Sequence, residues 1–121
     1  MRPITLLTSA VLLIAIAPPA AFAHAQLASA NPAPGATVST PPGNVQITFD
    51  DEVEPRFTTI TVTDPHGRRV HTGKLEADPH DAKRVSVTVP QLAPGRYKVE
   101  WHATDTDTHK TNGTYTFTVA H

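Results

Sequence analysis

The chain has 121 residues, 10 Lys+Arg against 11 Asp+Glu, a formal net charge of −1 and no cysteine. The charge balance excludes a basic nucleic-acid-binding face. The lack of cysteine excludes disulfides, thiolate metal sites and a lipoprotein anchor, so one small domain must hold itself together by its core alone.

In chain order, the first segment reads as a secretory signal. Arg2 supplies a positive start, Ile4 to Ala17 is apolar apart from Thr5, Thr8 and Ser9, and Pro18 and Pro19 break it. Ala21-Phe22-Ala23 then gives the small-x-small pattern of a cleavage site. The apolar run falls short of the roughly 20 residues a spanning helix needs. The expectation is a signal peptide at residues 1–23, a mature domain at residues 24–121, and His24 as the first mature residue. Nothing after residue 23 is apolar enough to span a bilayer.

The remainder reads as all-β. Residues 24–40 predict a first strand and a Pro-rich connection. Val45, Ile47 and Phe49 alternate with polar residues. So do Ile60 and Val62, then Val85, Val87 and Val89, then Tyr97, Val99 and Trp101, and finally Tyr115, Phe117 and Val119. Period-two alternation gives each strand one buried face. "NPAPG", "TPPG", "DPHG", "LAPG" and "TNG" punctuate the runs. Residues 71–84 read as a strand end followed by a polar loop. Short strands with Pro/Gly turns predict an antiparallel β-sandwich.

Of the seven histidines, His66, His71, His80 and His121 have polar neighbours and no partner at metal-site spacing, and read as ordinary surface residues. His102 alternates outward from Trp101, beside a site at most. His24 and His109 differ. A free N-terminal histidine offers its α-amine and its ring Nδ1 to one metal, closing a six-membered chelate that no internal histidine can form. In "DTDTHK", Asp107 and His109 stand two apart, and on an extended segment both would face one side. An amine, two imidazoles and a carboxylate suit tetragonal Cu(II). Met1 is the only methionine and would leave with the signal, so the mature chain offers no sulfur for a Cu(I) site.

"AHAQLASANPAPGATV", "VQITFDDEVEPRF" and "LAPGRYKVEWHATDTDTHKTNGTYTFTV" resemble the CopC family of periplasmic copper-binding, copper-resistance proteins, over residues 23–121. The resemblance implies a seven-stranded Greek-key sandwich of immunoglobulin- or cupredoxin-like type. It also implies one Cu(II) per mature chain, held by His24 through amine and ring, by Asp107 and by His109. A family glutamate near the N-terminal amine falls on Asp51, one methylene shorter, and implies a supporting role there. The Met-rich Cu(I) site of some relatives has no counterpart. The implied function is a monomeric Cu(II) carrier or buffer of the periplasm, not an enzyme, acting beside an inner-membrane CopD-type protein. The alternative is a copper-dependent oxidase or monooxygenase built on the same histidine brace. Such enzymes present a broad aromatic surface to polysaccharide, whereas the one Trp and two Tyr of this chain fall at inward positions.

Overall fold

The computed structural model describes residues 25–121. The expected signal segment and His24 lie outside the described residues. Eight strands run in chain order: β1 (Leu27–Asn31), β2 (Thr37–Val38), β3 (Asn44–Phe49), β4 (Thr59–Thr63), β5 (Thr72–Asp78), β6 (Asp81–Thr88), β7 (Gly95–Thr104) and β8 (Lys110–Val119). The only helical element among the described residues is a 3₁₀ turn at Pro55–Phe57. The strands form two four-stranded sheets, ordered β1-β3-β6-β5 and β2-β8-β7-β4. The expected β-sandwich is therefore present. The two-residue β2, parallel to β8, is too short to show as alternation in the sequence.

The alternating residues do what their period requires. Val45, Ile47, Phe49, Val85 and Val87 turn inward from one sheet, and Ile60, Val62, Tyr97, Val99, Trp101, Phe117 and Val119 from the other, all buried. Phe49 meets the Trp101 indole edge-on at 5.2 Å between ring centroids. Tyr97 and Phe117 stack at 5.6 Å, and the Tyr97 hydroxyl donates to the Ala93 carbonyl at 2.7 Å. Such rings bury large apolar areas, and aromatic pairs add about 0.5–1.5 kcal/mol beyond area alone.

Residues 71–84 differ from the sequence expectation. They form a hairpin in which β5 turns into β6 through Pro79 and His80, with the Asp78 carboxylate accepting the His80 N–H at 2.8 Å. β5 is an edge strand, exposed along most of its length, so it shows no apolar alternation. His71 is likewise not a plain surface residue. It is half-buried, and its Nδ1 accepts the Val62 N–H at 3.1 Å, while the Val70 N–H donates to the Val62 carbonyl at 2.8 Å. Together these contacts cover part of the free edge of β4, a device that blunts edge-to-edge association. Burial, and then the nearby Arg69, hold the His71 imidazole below its ordinary pKa.

β7 and β8 form the longest ladder, in register from Gly95↔Val119 to Thr104↔Lys110. Its closed end is the connection of residues 105–109, at one end of the sandwich. Three contacts fix where that connection starts. The Glu54 N–H donates to the Thr104 carbonyl at 2.8 Å, the Thr104 hydroxyl donates to the Phe57 carbonyl at 3.0 Å, and Val53 bridges Asp105.

Candidate metal centre

The connection "DTDTH" is a turn rather than an extended segment. Thr108 has φ +70°, a left-handed conformation that a β-branched residue adopts only under constraint. The i, i+2 argument for Asp107 and His109 therefore fails in its reason, yet the turn brings the two together. Ligating atoms of Asp105, Asp107 and His109 all lie within 4.8 Å of one another.

Asp105 organises the turn. Its carboxylate Oδ1 accepts the N–H groups of Asp107 and His109, each at 2.9 Å, and Oδ2 lies 3.3 Å from His109 Nδ1. Its own N–H donates to the His109 carbonyl at 3.0 Å, and its carbonyl accepts the Thr108 N–H at 3.1 Å. The residue is 1% exposed. Burial pushes the Asp105 carboxyl up, but the His109 and Asp107 N–H groups, followed by the His109 ring, outweigh it and hold the group below the usual carboxylate range. Fixed donors favour the charged form over the neutral one. In the sequence Asp105 has no metal-site partner of its own to draw attention. The available signal is an Asp whose side chain can bond the backbone two residues on, a turn-forming habit of that residue type.

The carboxyl groups of Asp105 and Asp107 are thus built differently. Asp105 is buried and engaged by the turn itself, whereas Asp107 and His109 are exposed. Carboxylate oxygen and imidazole nitrogen together suit a borderline divalent ion such as Cu(II) or Zn(II).

The N-terminal segment is tied to the same end of the molecule. Ala25, next after His24 in sequence, is 1% exposed, and the Thr111 hydroxyl, two residues past His109, donates to its carbonyl. Gln26 donates its N–H to the Asp50 carboxylate at 2.7 Å, and Asp50 returns its N–H to the Gln26 carbonyl at 2.9 Å. Asp51, the residue expected to support the N-terminal amine, is half-buried and accepts the N–H of its neighbour Glu52 at 2.8 Å. The carboxylate that holds the described start of the chain is Asp50. His102 stays on the outer face, its Nε2 3.4 Å from Glu100, outside the cluster. A cleft of about 650 Å³ bordered by Thr59, Ile60, His71 and Leu75 contains none of the cluster residues. A second cleft of about 580 Å³ adjoins the turn, bordered by Phe57, His102, Thr108 and Thr111, and likewise contains none of the cluster residues.

Residues 27–120 match the family model described as the CopC domain. Protein YobA of Escherichia coli strain K12 is 34% identical over 111 residues, which cover 91% of this chain and 90% of that protein. Copper resistance protein C of Escherichia coli is 31% identical over 106 residues, covering 82% of this chain and 83% of that protein. The crystal structure of CopC from Methylosinus trichosporium OB3b aligns with a TM-score of 0.75 at 29% identity, over 80% of this chain and 94% of that one.

Proposed function

The chain belongs to the CopC domain family, and from that premise we propose that it is an exported protein that binds and carries Cu(II) in the periplasm. In this reading cleavage after Ala23 frees the amine of His24. One Cu(II) is then held by that amine and the His24 ring, by His109 and by Asp107. The observation that carries the reading is the turn at residues 105–109, where an exposed carboxylate and an exposed imidazole stand together beside the anchored Ala25. Nitrogen-rich ligation places Cu(II) at the top of the divalent affinity series, and once Met1 leaves with the signal no thiolate or thioether remains to favour Cu(I).

Holding rather than turnover is supported by the aromatic residues. Trp101, Tyr97 and Tyr115 are buried in the core, and Phe57 is the only large apolar side chain exposed among the described residues. No helix of the described residues is long and apolar enough to cross a membrane; the partner this reading expects is a CopD-type inner-membrane protein. Copper capture would displace protons from the amine and the imidazoles, so affinity falls in acid.

Competitive Cu(II) titration of single variants tests the assignment. His24→Ala removes a ring and the chelate. His109→Ala removes one nitrogen, and Asp107→Ala removes the weaker oxygen donor. The expected loss of affinity is largest for His24→Ala, smaller for His109→Ala and smallest for Asp107→Ala, with His66→Ala and His80→Ala unchanged. A His109→Ala protein that kept full affinity would overturn the site.

A further inference from the structure

Resting on the copper site proposed above, we propose that Asp105 is a positioning residue that fixes the tautomer of His109, so that the ring meets copper through Nε2. The argument is one of donors and acceptors. An aspartate carboxyl is ionised at neutral pH and then only accepts hydrogen bonds. Oδ2 lies 3.3 Å from His109 Nδ1, so Nδ1 must carry the hydrogen. A neutral imidazole has one N–H and one bare nitrogen, and the bond made by one nitrogen decides which metal-binding lone pair remains. The lone pair is therefore on Nε2.

Asp105 is unsuited to ligate copper itself. Oδ1 already accepts two backbone N–H groups of the turn, from Asp107 and His109, at 2.9 Å each. Drawing that oxygen to a metal would strip the acceptor from both amides, at a residue 1% exposed to solvent. The two aspartates of "DTDTH" thus divide the work. Asp107 faces outward as a ligand, and Asp105 orients the second ligand from behind. Carboxylate support of this kind orients a metal-binding ring and raises its basicity, and its loss commonly weakens metal binding about 10–100-fold.

The decisive variant is Asp105→Asn. Its carbonyl oxygen can still accept the Asp107 and His109 amides, so the turn is kept. Its NH₂ now replaces Oδ2 and can only donate, which demands a bare Nδ1 and moves the ring hydrogen to Nε2. Nitrogen-15 NMR of the His109 ring, on copper-free protein starting at His24 and followed over a pH series, reads this directly from the neutral form of the ring. The wild type should show the hydrogen on Nδ1, and Asp105→Asn should show it on Nε2. Cu(II) affinity, measured by competition, should fall about 10–100-fold in the variant.

A wild-type ring with its hydrogen on Nε2 overturns the proposal without recourse to any variant, as does an Asp105→Asn ring that keeps the wild-type tautomer. A swapped tautomer with unchanged Cu(II) affinity overturns the positioning role. The lost negative charge alone would weaken copper binding without moving the hydrogen, so the NMR readout separates positioning from electrostatics. The copper-site reading fails by a different sign, namely full Cu(II) affinity in His109→Ala.

Discussion

The hairpin that carries the candidate site depends on a glycine, and replacing it gives a quantitative test of the packing. Gly113 pairs with Trp101 across β7 and β8. A Cβ placed there would lie 2.6, 2.7 and 2.9 Å from three indole atoms, about 1 Å inside the usual 3.5–4.0 Å contact distance. The indole has little room to yield, because Phe49 stands edge-on against it at 5.2 Å and Trp101 is 4% exposed. Overpacking of a tight core costs roughly 1–3 kcal/mol, and this geometry points to the upper end. Relief of glycine's backbone entropy returns about 0.5–1 kcal/mol. Gly113→Ala should therefore destabilise the domain by about 2 kcal/mol, which lowers Tm by about 10 °C in a domain of this size. Thermal unfolding followed by circular dichroism, and urea unfolding, would measure it on copper-free protein. In a Trp101→Phe background the smaller ring leaves space, and most of the Gly113→Ala penalty should vanish. An equal penalty in both backgrounds would refute the steric reasoning.

Two further outcomes follow from the backbone and the free edge. Thr108→Asn should stabilise the copper-free protein by about 1 kcal/mol, because asparagine tolerates the left-handed conformation that threonine resists; urea unfolding checks it, and a loss of stability would contradict the account of the turn. His71 has a folded-state pKa below its ordinary value, so the native state takes up its proton later than the unfolded chain does. Its contribution is present above about pH 6.5 and is lost as pH falls from there through the lowered folded value. The acid slope of copper-free stability in that window should flatten in His71→Gln, and an unchanged slope would contradict the role of its Nδ1 on β4.

Much of the fold was legible because buried strands announce themselves by alternation. Val45, Ile47 and Phe49 on β3, and Tyr97, Val99 and Trp101 on β7, are inward-facing as their period requires. β5 was not legible, because an edge strand with little buried surface has no apolar period to read, and its partner β6 could then be placed only in part. His71 looked like a surface residue because its bond to Val62 joins two segments whose proximity depends on the tertiary fold. Within the candidate site, Asp107 and His109 were found from their spacing, but for a reason that the turn at Thr108 replaces. Asp105 is less legible: its residue type signals a turn-former that bonds nearby amides, but not that its second oxygen stands against the His109 ring. The resemblance of the motifs to the CopC family implies the same sandwich, and it names His24 as a ligand beside Asp107 and His109.

The central claim is that copper is held by a free N-terminal His24 together with the turn at Asp107 and His109. It is tested most directly by competitive Cu(II) titration of two proteins that both begin at His24, one with its α-amine free and one with that amine acetylated. Acetylation leaves every side chain in place but converts the His24 amine into an amide and abolishes the chelate. The account predicts a loss of Cu(II) affinity comparable to that of His24→Ala, whereas equal affinity in the two proteins would contradict it.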